Sequence, residues 1–272
     1  MNLIDEFSTA LARLRAGARR LAGSHCLLCN AGHPRRALCE NCEETLPCIL
    51  RPCVVCALST GGTGVCAVCL EGPRPYDRTI AAWRYGAPVD RLIRDLKFKA
   101  RLPLADYFGL RLSEAVESMQ GTDHDPPDLI VAVPLSTARL RQRGFNQAHE
   151  VARRLRVARH AEYRTDLLQR VRDTPAQVGL SAAARQANLR DAFKVARPVS
   201  GRRLALVDDV MTTGATLSEI ARMLKHAGAI SVDNWVVARA ERPADRSRAG
   251  TVSRQGPNPS SRQQEDRAAC SK

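Results

Sequence analysis

Two adjacent carboxylates, Asp208 and Asp209, directly follow an apolar run at residues 204–207. They precede a threonine-rich turn around one glycine, made of Met211, Thr212, Thr213, Gly214, Ala215 and Thr216. A turn that leads into a helix presents free backbone N–H groups and the positive end of the helix dipole, and both suit a phosphate. Two carboxylates beside a phosphate need a further partner, such as sugar hydroxyls that donate hydrogen bonds or a magnesium ion. This combination predicts a site for a ribose 5-phosphate.

Ten cysteines occur in the chain, and eight of them form four Cys-x-x-Cys pairs in its first third. Two such pairs close a tetrahedral zinc site, and the layout of pair, nine residues and pair occurs twice. A disulfide framework is the alternative, but we expect a cytoplasmic protein, in which thiols stay reduced. The spacing leaves open whether neighbouring pairs join or the sites interleave. We predict two structural zinc ions held by Cys26, Cys29, Cys39, Cys42, Cys53, Cys56, Cys66 and Cys69.

Alternating apolar patterns predict the strands and helices that would position the acid pair. Strand patterns cover residues 128–134, 203–207 and 231–238, and helical patterns cover residues 88–96, 110–119, 148–155 and 217–224. Strand, helix and strand in this order predict right-handed crossovers in a parallel sheet. Ligands of such sheets bind at the carboxyl ends of the strands, where Asp208 and Asp209 fall. We therefore predict an α/β fold, with a parallel sheet and flanking helices.

Changes in composition divide the chain into four predicted segments. They are an amphipathic helix at 1–23, a small cysteine-rich region at 24–72, the α/β domain at 73–240 and a disordered tail at 241–272. Acidic and basic residues interrupt the N-terminal segment, so it is not expected to be a secretion signal. No apolar run reaches the length of a membrane span, and we expect a cytoplasmic location.

The net charge of +14 favours a polyanionic partner or a phosphorylated ligand. Aromatic residues make up only 4% of the chain, so the stacking platforms of single-strand binders are poorly supplied. The charge therefore leaves both a nucleic-acid partner and a phosphorylated small molecule open.

The segment LALVDDVMTTGAT at residues 204–216 resembles the phosphoribosyl pyrophosphate motif of type I phosphoribosyltransferases, since apolar strand, acid pair and Thr-Thr-Gly-x-Thr occur in order. Over residues 24–240 the chain resembles the ComF/GntX family, in which a double zinc ribbon precedes a phosphoribosyltransferase domain. Further marks of that family are Leu96-Lys-Phe98, Val133-Pro-Leu135, Arg143-Gly-Phe-Asn-Gln147, Thr174-Pro-Ala-Gln177 and Asn188-Leu-Arg-Asp-Ala-Phe193. The resemblance implies a type I phosphoribosyltransferase-like sheet behind a double zinc ribbon.

The resemblance also implies roles for individual residues. Asp208 and Asp209 would meet the ribose hydroxyls, the turn at 211–216 would bind the 5-phosphate, and magnesium would accompany the ligand. The polar stretch at 170–188 would be a flexible lid. Phosphoribose would pass to a nitrogen nucleophile as magnesium pyrophosphate departs.

Basic residues would serve the leaving group and the acceptor. Arg139 and Arg143 would neutralise the pyrophosphate through paired hydrogen bonds, and Lys97 would contact the acceptor. Each assignment has an alternative. The two arginines could be solvated residues near a helix start, and Lys97 could belong to a basic face with Lys99 and Arg101.

Two functions follow from the resemblance. The first is an enzyme that transfers phosphoribose to an unidentified nitrogenous acceptor. The second is a competence or DNA-uptake factor that binds single-stranded nucleic acid and uses phosphoribosyl pyrophosphate as a regulatory ligand without turnover. Thr212 stands where several purine transferases carry an acid that can act as a general base, but orotate-type enzymes also have threonine there. The enzyme is the favoured prediction.

Overall fold

The computed structural model of this protein describes residues 25–32, 37–60, 64–119, 125–157, 161–172, 189 and 191–241. The predicted N-terminal helix, residues 173–188 of the predicted lid and all but the first residue of the predicted tail lie outside this part of the chain. Within the described residues, no helix combines the length and the apolar character needed to cross a membrane.

The chain divides into two compact units, residues 1–45 and 46–272. In the smaller unit, His25 and Gly32 form an antiparallel bridge. A short helix, α1 (Glu40–Glu44), then follows Cys39. In the larger unit, Pro52 and Ser59 form the corresponding bridge.

A five-stranded parallel sheet forms the centre of the larger unit, with the strand order β1, β7, β6, β2, β3. Its strands are β1 (Arg78–Arg84), β2 (Leu129–Ala132), β3 (Glu162–Arg164), β6 (Arg203–Met211) and β7 (Ser231–Arg239). A separate antiparallel pair consists of β4 (Leu168–Arg170) and β5 (Phe193–Val195). The parallel sheet with flanking helices confirms the predicted fold class.

Four of the six described helices of the larger unit bury apolar residues. The six helices are α2 (Ala67–Leu70), α3 (Val89–Lys99), α4 (Pro103–Ser118), α5 (Thr137–Arg143), α6 (Gln147–Ala152) and α7 (Ala215–His226). Those that bury apolar residues are α3, α4, α6 and α7. The stripe of α7 consists of Leu217, Ile220, Ala221 and Leu224, all of which are buried. Residues at these three- and four-residue steps share one helix face, so the stripe can be read from the sequence.

The strand that carries the acid pair is longer than its apolar pattern predicts. β6 continues through Asp208 and Asp209 to Met211, because these residues pair with the end of β7. On the other side, β2 pairs with β6 only as far as Val207. The two acids therefore lie at a step in the sheet, where β6 is held by β7 and extends past β2.

The core of the larger unit includes the second group of cysteines. Cys53, Cys56 and Cys66 are buried in the same cluster as Leu206 of β6 and Leu217 of α7. The division of the chain accordingly places residues 46–72 with the sheet. The domain boundaries read from composition stay a prediction.

Candidate functional site

Main-chain N–H groups hold both carboxylates at the end of β6. The N–H of Asp209 donates to Asp208 Oδ1 over 2.8 Å, and the N–H of Val210 donates to Asp209 Oδ1 over 2.9 Å. Asp209 is buried and Asp208 is half-buried. Two carboxylates in this position need compensating groups, since an uncompensated buried charge is costly.

Lys97, in the last turn of α3, supplies one compensating charge through an ion pair between its ammonium and Asp209 Oδ2. Burial by itself would raise the pKa of Asp209, but the ammonium lowers it below its ordinary value. Burial and the charge of Asp209 together raise the pKa of Asp208. The pair therefore consists of one firmly ionised acid and one that protonates readily.

The contact of Lys97 distinguishes it from the other bases near the end of α3. Lys99 and Arg101 both pair with Asp95, which is buried on the same helix. Lys97 instead reaches the end of β6. Lys97 thus has a different partner from Lys99 and Arg101, and its predicted role toward an acceptor stays a prediction.

The loop after β2 and the helix that follows it bring Arg143 toward the acid pair. Ser136 begins α5, and its Oγ accepts the N–H of Arg139 over 3.3 Å. Burial lowers the pKa of Arg143, and the charge of Arg139 adds to this, whereas the carboxylates of Asp209 and Asp208 oppose it. Arg143 therefore interacts electrostatically both with the acid pair and with Arg139.

Arg143 is held by two further contacts. Its Nη1 donates to Gln147 Oε1 over 2.8 Å, and its guanidinium carbon lies 5.1 Å from the centre of the Phe98 ring. Phe98 is 64% exposed. The Nε of Arg143 is buried and has no hydrogen-bond partner among the described residues. An anionic ligand could use this donor only after the Arg143 side chain moves, because the nitrogen has almost no solvent exposure.

The glycine turn, defined as residues 211–216, connects β6 to α7. Gly214 begins α7 with a φ of 78°, which only glycine adopts without strain. Glycine has no side chain that could cap the first turn of the helix, and Thr213 Oγ1 instead accepts the N–H of Ala215 over 3.3 Å. Met211 and Gly214 are buried, Thr213, Ala215 and Thr216 are half-buried, and Thr212 is exposed. The turn thus combines accessible threonines with a helix N-terminus.

Arg239, the last residue of β7, donates hydrogen bonds to carbonyls of the glycine turn. This role was not predicted from the sequence. The Nε of Arg239 donates to the carbonyl of Cys56 over 2.7 Å, and its Nη1 donates to the carbonyl of Met211 over 3.0 Å. The same Nη1 also reaches the carbonyls of Thr212 and Ala240. The side chain is only 4% exposed. A charged residue one position beyond the predicted strand 231–238 is the only sequence signal, and it is weak.

The eight paired cysteines form two clusters of four thiols. The first cluster is Cys26, Cys29, Cys39 and Cys42, and the second cluster is Cys53, Cys56, Cys66 and Cys69. Within each cluster, the sulfur atoms lie within 4.8 Å of one another. Neighbouring pairs therefore join, and the clusters do not interleave.

The geometry of both clusters suits zinc. A tetrahedral ion with bonds of about 2.3 Å to sulfur separates its ligands by about 3.8 Å. The sulfurs of Cys29 and Cys39 are 3.7 Å apart, and those of Cys56 and Cys66 are 3.4 Å apart. Equivalent N–H groups point at Cys26 Sγ and Cys53 Sγ, over 3.4 and 3.3 Å. Four thiols in this arrangement could hold one structural zinc ion in each cluster.

Comparisons with known proteins agree with this geometry. A family model described as phosphoribosyl transferase domain matches residues 139–262. The chain is 36% identical over 204 residues to the DNA utilization protein YhgH of Escherichia coli K12. This match covers 74% of the present chain and 90% of the relative. The chain is 34% identical over 179 residues to competence protein F of Haemophilus influenzae, with 64% of this chain and 78% of the relative covered.

Solved structures give a weaker likeness. The match to a hypoxanthine phosphoribosyltransferase from Staphylococcus aureus covers 54% of this chain and 70% of the solved chain, with 10% identity and a TM-score of 0.31. Only the sequence matches bear on the kind of protein to which this chain is related.

Proposed function

The chain belongs to the ComF family of phosphoribosyltransferase-like proteins, and we propose that it binds phosphoribosyl pyrophosphate and transfers phosphoribose to a nitrogenous acceptor. One observation carries the proposal. The acid pair and the glycine turn follow one another at the carboxyl end of β6, where parallel sheets bind their ligands. A phosphate and vicinal hydroxyls are the chemical groups that this arrangement complements.

In the proposed complex, the 5-phosphate meets the glycine turn. The first-turn N–H groups of α7 and the hydroxyls of Thr212, Thr213 and Thr216 are the donors, and the helix dipole adds positive potential. Asp208 accepts hydrogen bonds from the ribose hydroxyls. Lys97 pairs with one oxygen of Asp209, so Asp209 has fewer free oxygens than Asp208 to accept hydrogen bonds from the ribose hydroxyls.

Magnesium is expected to arrive with the ligand. Carboxylate oxygens suit magnesium, but the ion pair of Asp209 with Lys97 occupies one of the oxygens that the acid pair could offer to the ion. When bound, magnesium would neutralise part of the pyrophosphate charge. Arg139 and Arg143 would neutralise the remainder, and Arg143 carries a buried Nε without a described partner.

In the proposed reaction, the bond between the anomeric carbon and the pyrophosphate oxygen breaks, and its electron pair leaves with pyrophosphate. A bond then forms between the acceptor nitrogen and the anomeric carbon, and the nitrogen releases its proton to solvent water. Charge stabilisation by the basic residues favours the departure of pyrophosphate. The acceptor class is a nitrogenous base.

The deciding experiment incubates the full chain with magnesium, phosphoribosyl pyrophosphate and single nucleobases from a panel, and measures released pyrophosphate. We expect release that depends on one base. Reactions without base measure background hydrolysis, and the Asp208→Asn variant is the control for the site. Tight binding of phosphoribosyl pyrophosphate without release for any base would support the regulatory alternative.

A second candidate function is the binding of single-stranded nucleic acid. The observation that favours it is the exposed Phe98 ring, which stacks with Arg143 next to Arg139 and Lys97. An exposed ring among bases could stack a nucleobase while the cations meet phosphates. The names of the relatives, DNA utilization protein and competence protein, support the same candidate.

A further inference from the structure

We propose that Arg239 is a positioning residue that couples metal binding at the second cluster to the shape of the glycine turn. Metal at this cluster would then be required for tight binding of phosphoribosyl pyrophosphate. The inference rests on the proposed function for the identity of the ligand. The link itself rests on contacts within the larger unit.

One buried guanidinium holds both partners. Arg239 donates from Nε to the carbonyl of Cys56 and from Nη1 to the carbonyls of Met211 and Thr212. A buried guanidinium that loses an acceptor keeps the cost of its desolvation. The rigid fork of arginine also fixes the angle between its donors. If the Cys56 carbonyl moves, Arg239 and the glycine turn must therefore move with it. Otherwise the buried Nε of Arg239 loses its acceptor.

Neighbouring residues tie the same two parts together. The N–H of Ala240 donates to the carbonyl of Met211 over 2.9 Å. The hydroxyl of Ser59, in the bridge that closes the second cluster's loop, donates to the carboxylate of Glu241 over 2.5 Å. Residues 239–241 thus contact the cysteine loop on one side and the glycine turn on the other.

Tyr76 forms a second point of contact beneath the turn. It is buried in the same core as Cys53 and Cys56. Its hydroxyl oxygen lies 3.6 Å from the position that a Cβ on Gly214 would occupy. The floor of the glycine turn is therefore built from residues that pack with the second cluster.

The position of the Cys56 carbonyl depends on the fold of its loop. The N–H of Cys53 donates to the carbonyl of Leu58 over 2.7 Å, and the N–H of Ala57 donates to the carbonyl of Cys53 over 2.8 Å. A structural metal supplies the folding energy of such a loop. Loss of the ion would relax the loop, move the Cys56 carbonyl and deprive Arg239 of an acceptor. The first cluster lies in the other unit and provides a matched control.

The test compares the full zinc-loaded chain with Cys53→Ser, Cys26→Ser and Arg239→Lys. Lysine keeps the charge but cannot reproduce the fork of arginine. Hydrogen exchange of the amides at 211–216, measured without ligand, is expected to accelerate in Cys53→Ser and Arg239→Lys but not in Cys26→Ser. Titration with magnesium and phosphoribosyl pyrophosphate is expected to show about a tenfold or greater loss of affinity in the same two variants, equivalent to about 1.4 kcal/mol.

Reciprocal linkage supplies a readout that a purely structural role would not move. If the ion favours the ligand, the ligand must favour the ion by the same factor. In Cys26→Ser, phosphoribosyl pyrophosphate should slow the loss of zinc from the second cluster to a chelator, and the additional change Arg239→Lys should abolish the slowing. Unchanged exchange at 211–216 in both Cys53→Ser and Arg239→Lys would overturn the coupling. Accelerated exchange in a chain whose wild type binds no phosphoribosyl pyrophosphate would overturn the proposed function alone.

Discussion

The ammonium of Lys97, at the end of α3, pairs with the carboxylate of Asp209, at the end of β6. The two side chains are 19% and 7% exposed, so water and salt screen the pair only weakly. The pair makes the two adjacent acids unequal. Lys97 lowers the pKa of Asp209 against the effect of burial, whereas burial and the charge of Asp209 raise the pKa of Asp208.

This inequality predicts opposite effects on stability for the two acids. Asp208→Asn should raise the free energy of unfolding, because it removes a carboxylate that burial and Asp209 disfavour. Asp209→Asn should lower it, since the half-buried ammonium of Lys97 then lacks its counter-charge. Urea unfolding measures both, with the exposed Glu117→Gln as the control. Equal effects of the two changes would mean that Lys97 does not distinguish the acids.

Ligand binding should also depend on Asp208. Above the raised pKa of about 8, Asp208 is an ionised acceptor for ribose hydroxyls, and hydrogen bonds to charged groups contribute about 1.5–3 kcal/mol each, whereas Asn stays neutral. We expect the affinity for phosphoribosyl pyrophosphate to fall by about tenfold to a hundredfold. Calorimetric titration in the presence of magnesium checks this. Wild-type affinity in Asp208→Asn would mean that this acid does not contact the ligand.

Stability should fall as the pH rises from about 4 to about 8 through the contribution of Asp208. In the folded protein its pKa is raised from 3.8 to about 8, so between these values the folded state binds a proton that the unfolded chain has released. Asp209 has a lowered pKa, and its opposite contribution is lost only as the pH falls below the ordinary range. The stability difference between Asp208→Asn and wild type should therefore be larger at pH 8 than at pH 5. A difference that does not vary with pH would exclude the raised pKa.

The full chain should bind two zinc ions, one in each cluster. Cys53→Ser should lower the thermal stability of the larger unit, because Cys53 belongs to its core. Cys26→Ser should leave that transition in place, because Cys26 lies in the other unit. Elemental analysis and calorimetry measure the two effects. Protein purified without chelator that contains almost no zinc would refute the metal assignment.

Gly214→Ala should abolish ligand binding at a small cost in stability. The left-handed conformation costs a residue with a side chain about 1–2 kcal/mol. The new Cβ would lie 2.6 Å from the flexible end of Met211, which can move. Gly201→Ala is the matched control, because Gly201 has a φ of 73° and no atom within 4 Å of the added Cβ. We expect both variants to lose a similar amount of stability, and only Gly214→Ala to lose ligand binding.

Phe98→Ala tests the nucleic-acid candidate. For that function, we expect the affinity for a single-stranded oligonucleotide to fall by about tenfold to a hundredfold, since stacking on an aromatic ring contributes about 1–3 kcal/mol per base. Binding should also weaken steeply with added salt. The exposed Ile230→Ala provides the control. Binding that is unaffected by Phe98→Ala would remove the stacking role from this ring.

The sequence by itself determined those features that short-range patterns encode. The pairs of cysteines, the stripe of α7 and the order of strand, acid pair and glycine turn all involve neighbours within a few residues. Periodicity and spacing express backbone geometry directly, so these features could be predicted. The parallel sheet followed from the order of such elements.

Only the tertiary structure decided which distant residues meet. The sequence has no local pattern that pairs β1 with β7, extends β6 to Met211 or joins Arg239 to Cys56. It also does not show that Cys53, Cys56 and Cys66 of the second cluster pack in the core of the larger unit. For Lys97 the sequence offered an acceptor contact or a basic face, and the structure adds its ion pair with Asp209. These contacts depend on packing and burial between segments far apart in the chain, and side-chain charge and spacing alone do not specify them.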